Sequence, residues 1–110
     1  MRRELTDKLK ATFPTFFRKC GLECGDGWFK IIWNLCHEIQ SLNPSPEFEV
    51  TQVKEKFATL RFCINNGIQD IYDAIDRAEH LSAVTCEECG ADGRCRGGGW
   101  LRTLCDLHAE

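Results

Sequence analysis

The 110-residue sequence predicts an α+β fold: helices packed on a small antiparallel β-hairpin or sheet, with a cysteine-rich module at the C-terminal end. Three observations point to it. Apolar residues recur at helical spacing through 27–42 and again through 68–81. Between them, 47–65 alternates at the two-residue period of a half-buried sheet. Beyond residue 82 the periodicity stops and paired cysteines and clustered glycines take over.

The elements can be justified in order. Leu5 and Leu9 lie four apart in 3–12, which predicts a short amphipathic helix that Pro14 ends. Phe13, Phe16 and Phe17 follow and are expected in the core, where aromatic side chains contribute most of the buried area. Gly25-Asp26-Gly27 is a turn, with Asp26 the candidate N-cap of the next helix. Trp28, Ile31, Ile32, Leu35, Ile39 and Leu42 then form one apolar stripe flanked by Cys36, while Lys30, Asn34 and Glu38 lie off it. Asn43-Pro44-Ser45-Pro46 cannot continue a helix. Phe48 and Val50, then Leu60, Phe62 and Ile64, define the inward face of two strands, with the reversal expected at Ala58-Thr59. Asn65-Asn66-Gly67 closes the second strand, and Ile68, Ile71, Ala74, Ile75, Ala78 and Leu81 return to helical spacing. Residues 1–82 therefore read as a helical and β-hairpin body and 83–110 as a metal-binding module, packed as one compact domain.

Hydrophobic residues make up 43% of the chain and charged residues 28%, both ordinary for a globular protein. No run approaches the roughly 18 consecutive apolar residues of a membrane span. MRRELTDKLK has no apolar stretch behind its charges, so no secretory signal is expected and the cytoplasm is the expected compartment. The net charge of −3 weighs against general nucleic-acid binding and leaves room for a local basic patch.

Eight cysteines need an account: Cys20, Cys24, Cys36, Cys63, Cys86, Cys89, Cys95 and Cys105. In a reducing compartment, metal ligation by some and burial of the rest is the favoured reading over a disulfide framework. Cys86-x2-Cys89 and Cys105-x2-His108 are separated by 15 residues. Three thiolates and one imidazole at this spacing are a zinc ligand set. Cys86, Cys89, Cys105 and His108 would fill a tetrahedral ion, leaving no position for water, so one structural Zn2+ is expected. Gly90 suits a tight knuckle after the first pair, and Gly97-Gly98-Gly99 suits a hairpin joining the two pairs. Knuckle, hairpin and helix in that order is a treble-clef-like layout. Cys95 remains an alternative fourth ligand to His108, and Cys20-x3-Cys24 remains a candidate half of a second site. Cys36 and Cys63 are expected to be buried and unreactive.

Other clusters are weaker. Arg94, Arg96 and Arg102 surround Trp100, a pattern suited to a partner or to nucleic acid, but acidic residues outnumber the three arginines in 86–110. Lys54, Lys56 and Arg61 form a second candidate binding set. The 1–19 segment carries six basic residues against Glu4 and Asp7. Glu23 and Asp26 beside Lys54, Lys56 and Arg61 are candidates for an acid–base site, with a solvated strand face as the plainer reading. No GxSxG, Walker loop or HExxH is present, and residues 90–104 lack the histidine that a treble-clef nuclease needs on its hairpin.

GLECGDGWFKIIWNLC, VTQVKEKFATLRF and TCEECGADGRCRGGGWLRTLCDLH together resemble a family of small phage and prophage proteins with the motifs ECGDGW, QVKEKFGGLRF and CExCGxxG…GWxxTLCxxH. The resemblance covers roughly residues 20–110 and departs from the pattern at Ala58-Thr59, where Gly-Gly is usual, and at the extra Cys95. It implies a phage or prophage origin and a structural zinc, and supplies no reaction. By analogy of context with small acidic phage proteins, the expected function is non-enzymatic binding of a macromolecular partner. A host defence complex in the host cytoplasm, bound in the manner of an anti-CRISPR protein, is the most concrete version. The alternatives are a nucleic-acid-binding zinc protein and, second, a nuclease-like enzyme.

Overall fold

The computed structural model describes residues 1–109. It is α+β, with α1 at Arg3–Thr12, β1 at Leu22–Glu23, α2 at Phe29–Ser41, β2 at Glu49–Lys56, β3 at Thr59–Asn65, α3 at Gln69–Ser82, β4 at Arg94–Arg96 and β5 at Arg102–Leu104. Single 3-10 turns occupy Asp26–Trp28 and Asp106–His108. β1, β2 and β3 form one sheet in that order, and β4 and β5 pair separately. Among the described residues, no helix is long and apolar enough to cross a membrane.

The apolar stripe of α2 is buried at Ile31, Ile32, Leu35, Cys36 and Ile39. Its first member, Trp28, belongs to the preceding 3-10 turn and is fully buried there. Gly25, not Asp26, holds the N-cap position of that turn. Asp26 instead accepts a hydrogen bond from the Arg2 backbone N–H at 2.7 Å and faces the Arg2 guanidinium at 3.7 Å, so it ties down the start of α1. Phe13, Phe16 and Phe17 are core, as their position predicted. Phe13 stacks on Phe16 at 5.4 Å and meets Trp33 edge-on at 5.7 Å.

The sheet is mixed. β1 runs parallel to β2, pairing Leu22 with Val53 and Glu23 with Lys54, a two-residue strand too short to leave a periodic signal in the sequence. β2 and β3 are antiparallel, with Lys56 opposite Thr59, so the reversal is Phe57-Ala58, one residue earlier than expected. Both turn residues are left-handed, at φ 53° and 69°, the geometry of a two-residue primed turn that normally takes Asn or Gly. For residues with a Cβ this costs about 1–2 kcal/mol each. Two hydrogen bonds hold the turn against that cost. The Ala58 N–H donates to the Glu55 carboxylate at 2.9 Å, and the Thr103 hydroxyl donates to the Ala58 carbonyl at 2.6 Å.

Val50, Val53, Leu60 and Phe62 form the buried face of the hairpin; α3 packs on β3, α2 packs on α3, and all share one core. The free edge of β3 is covered by α3: the Leu60 N–H donates to the Ser82 hydroxyl at 2.8 Å and the Phe62 N–H to the Glu79 carboxylate at 3.0 Å. That explains a fully buried serine and blunts an edge that would otherwise pair with another chain. Ile68 and Leu81, expected on the buried stripe of α3, are about half exposed. Ile68 precedes the first turn and Leu81 lies in the last one, beyond the stretch buried at Ile71, Ala74, Ile75 and Ala78. Cys36 is buried as expected, but Cys63 is exposed. It alternates with the buried Phe62 and therefore points to the opposite, solvent-exposed face of the sheet.

Candidate metal centre

The C-terminal pairs meet because three short segments fold back on one another. The Cys86 N–H donates to the Ala91 carbonyl at 2.7 Å and the Gly90 N–H to the Cys86 carbonyl at 2.9 Å, which closes the knuckle. Gly90 sits at φ +85°, a conformation that glycine adopts freely. β4 and β5 then pair Arg94 with Leu104 and Arg96 with Arg102, returning the chain to the knuckle. In place of a helix, one 3-10 turn follows, and its His108 N–H donates to the Cys105 carbonyl at 3.2 Å.

The donor atoms of Cys86, Cys89, Cys105 and His108 all lie within 4.8 Å of one another, a group that could hold a metal ion. His108 Nδ1 is 3.2 Å from Cys105 Sγ and 3.7 Å from Cys86 Sγ, and the Cys89 and Cys105 sulfurs are 3.6 Å apart. A tetrahedral ion with metal–sulfur bonds of about 2.3 Å needs sulfur–sulfur edges of about 3.8 Å, so the spacing fits such an ion. The chemistry fits as well. The His108 imidazole hydrogen-bonds Cys105 and brings its thiol down to about 6, and Cys105 in turn raises His108. A thiolate at neutral pH is what a soft cation requires. Cys95 is exposed on β4 and stands outside the group, which leaves His108 as the fourth donor. Cys20 and Cys24 join no such group among the described residues, and burial pushes Cys24 up to about 12.

The knuckle is seated on the body by the ECGDGW segment. The Gly25 N–H donates to the Glu87 carboxylate at 2.9 Å, the Gly27 N–H to the Glu87 carbonyl at 2.7 Å, and the Trp28 indole N–H to the Thr85 carbonyl at 2.9 Å. Glu87 lies between Cys86 and Cys89 in sequence and is only 5% exposed. Burial pushes its carboxyl up, while the Gly25 amide and Arg102 pull it down. In the sequence it counts as one acid among several, and nothing in its spacing marks it as the joint between module and body.

The candidate binding residues divide into two sets. Arg96 pairs with Asp106 at 2.7 Å and donates to the Leu104 carbonyl, and Arg102 pairs with Glu88 at 3.0 Å and faces Glu87 at 3.7 Å. Both arginines therefore hold the module together, and of the expected arginine patch only Arg94 has no ion pair among the described residues. Trp100 is 77% exposed and stands beside the β2–β3 tip. It lines a groove of about 430 Å3 with Glu55, Lys56, Phe57, Gly98 and Leu101. Phe57, 69% exposed, had no functional signal of its own in the sequence. Lys54 is opposite Arg61, and Lys56 follows on the same face of the sheet. Glu23 lies in register beside Lys54, but Asp26 is held by Arg2, so the pair suggested as an acid–base site is divided between different tasks.

Thiol accessibility follows from this arrangement. A polar alkylating reagent should modify Cys63 and Cys95 within minutes in the native protein and leave Cys36 unmodified until the chain unfolds. Peptide mass spectrometry checks it, and early modification of Cys36 would contradict the packing of α2. No protein-family model matches the chain, and neither the curated proteins nor the solved structures compared with it give a match.

Proposed function

We propose that this protein is a non-enzymatic binding module, stabilised by one structural zinc ion, that engages a macromolecular partner through the groove between its two hairpin tips. The zinc assignment is supported by the donor set of Cys86, Cys89, Cys105 and His108, which offers four protein ligands and closes the tetrahedron. Zinc in such a site supplies folding energy and no open position for a substrate.

The observation that carries the binding function is the exposure of Phe57 and Trp100 across one groove. Phe57 is held out on a left-handed turn whose strain is offset by Glu55 and Thr103. Backbone strain held in place by its surroundings clusters at functional sites, and here it presents an exposed ring beside a second one. With Phe57 69% and Trp100 77% exposed, docking would remove most of the about 150–250 Å2 that a fully buried aromatic withdraws from water. The resemblance to phage and prophage proteins supports a host defence system, in the host cytoplasm, as the setting in which that partner is met.

Expression in cells carrying a CRISPR or restriction system should raise the plating efficiency of a targeted phage, and F57S/W100A should abolish that protection while the purified variant keeps one equivalent of zinc. Full protection by F57S/W100A would remove the groove from the function.

A further inference from the structure

We infer that the groove between the hairpin tips takes single-stranded nucleic acid, with bases stacked on Phe57 and Trp100 and phosphates on Lys54, Lys56 and Arg61. The inference rests on the groove being the working surface, as proposed above. Two exposed rings beside three cations that make no ion pair among the described residues match how proteins bind single strands: π-faces for the bases and a basic track for the backbone. The cations are in file. Lys54 stands opposite Arg61 on the open face of the sheet, and Lys56 stands two residues on, with its ammonium 5.6 Å from the centre of the Phe57 ring. The file therefore runs directly into the groove that Lys56 lines.

The composition of this surface favours nucleic acid over a protein face. Protein interfaces concentrate aromatics and arginine and are depleted in lysine, whereas two of these three cations are lysines. The rings also favour a single strand over a duplex, because bases must be unstacked to lie on them. Gly98 and Gly99, with open space where a Cβ would stand, leave the Trp100 tip room to adjust to a base. Two carboxylates temper the attraction. Glu23 lies beside Lys54, and Glu55 lines the groove with one oxygen engaged by the Ala58 amide. Binding should accordingly be modest and strongly salt-dependent, with no help from the net charge of −3.

The test uses the zinc-loaded full chain and a twelve-nucleotide oligothymidylate, followed by amide-proton NMR and tryptophan fluorescence. Shifts should concentrate at Lys54–Arg61 and Gly98–Leu101, with quenching lost in W100A. Three phosphate contacts predict that affinity falls about 20-fold between 50 and 200 mM salt, and K56A should reduce that fall to about 7-fold. W100A should weaken binding by about 5- to 150-fold, the cost of one lost stack. Trp100 is exposed, so the variant should fold, and its zinc content verifies this. The inference is overturned if oligothymidylate does not bind at low salt, if W100A binds like the parent, if shifts fall on α1 instead, or if a duplex of equal length binds as well. Binding of a hexaglutamate peptide in the groove without oligothymidylate binding would assign it to an acidic protein partner and overturn the inference as well. If oligothymidylate fails while F57S/W100A still loses protection in cells, the groove stands as the working surface and only its occupant is wrong.

Discussion

Chelation of zinc is expected to unfold residues 84–108 together and to loosen the Gly25–Trp28 turn, while the core beneath α2 and α3 persists. The module has little apolar burial of its own. Leu104 is its one buried large aliphatic side chain, whereas Val84, Trp100 and Leu107 are exposed. What remains is a set of hydrogen bonds whose net contribution is about 1 kcal/mol each, set against ordering costs of similar size for every residue fixed. A structural zinc contributes about 10–16 kcal/mol in comparable small modules, more than any other term available here. The body, by contrast, buries Trp28, Ile32, Ile39, Phe48, Leu60 and Ile71 and has its own reason to stay folded. C86S and C105S should act like chelation, since each removes a thiolate donor. H108A should be milder, because water can replace an imidazole. C95S should match the parent, because Cys95 stands outside the donor group. Amide-proton NMR with and without chelator decides the matter. Dispersed resonances from 86–108 in the zinc-free protein would show that metal does not fold this segment, and a C95S as damaging as C105S would show that the donor set is wrong.

Much of this was legible in the sequence because periodicity reports burial directly. The stripe through Ile31, Ile32, Leu35 and Ile39, and the alternation through Leu60 and Phe62, became the buried faces of α2 and β3. The Cys86, Cys89, Cys105 and His108 group, which could hold a metal ion, was legible for a different reason: the spacing within such a group follows from the size of an ion, not from the rest of the fold. What stayed hidden depends on contacts between distant segments. β1 is two residues long and exists only because β2 lies beside it. The turn at Phe57-Ala58 lacks Gly or Asn because Glu55 and Thr103 stabilise it, and Thr103 is 45 residues from its partner. Cys63 shows a smaller lesson. Its place in the alternation, one residue after the buried Phe62, assigns it to the exposed face. Arg96 and Arg102 formed a patch by sequence proximity, yet the acids on the neighbouring knuckle and turn neutralise them.

The ECGDGW segment leads to a second large effect, one that touches no ligand. G27A should destabilise the protein by about 3 kcal/mol, at the upper end for overpacking, because the atoms it meets are backbone and cannot swing aside. A Cβ at Gly27 would press into the Cys86 carbonyl oxygen and lie 2.6 Å from the Gly90 nitrogen and 2.7 Å from the Glu87 carbonyl carbon. Those atoms belong to the knuckle that carries two of the four donors, so relief can come only by lifting the knuckle off the body. That movement would break the hydrogen bonds from Gly27 and from the Trp28 indole to Glu87 and Thr85. Zinc should then be captured by a chelator about 100-fold faster, the rate equivalent of that loss if the knuckle must detach before the ion leaves. G25A should behave similarly through the Glu87 carbonyl, whereas G98A, facing open space, should fall within about 0.5 kcal/mol of the parent. Thermal denaturation and zinc-transfer kinetics on the three variants separate the cases. A G27A protein that melts and exchanges zinc like G98A would mean that the knuckle does not rest on this glycine, and that the body and the metal module are held together elsewhere.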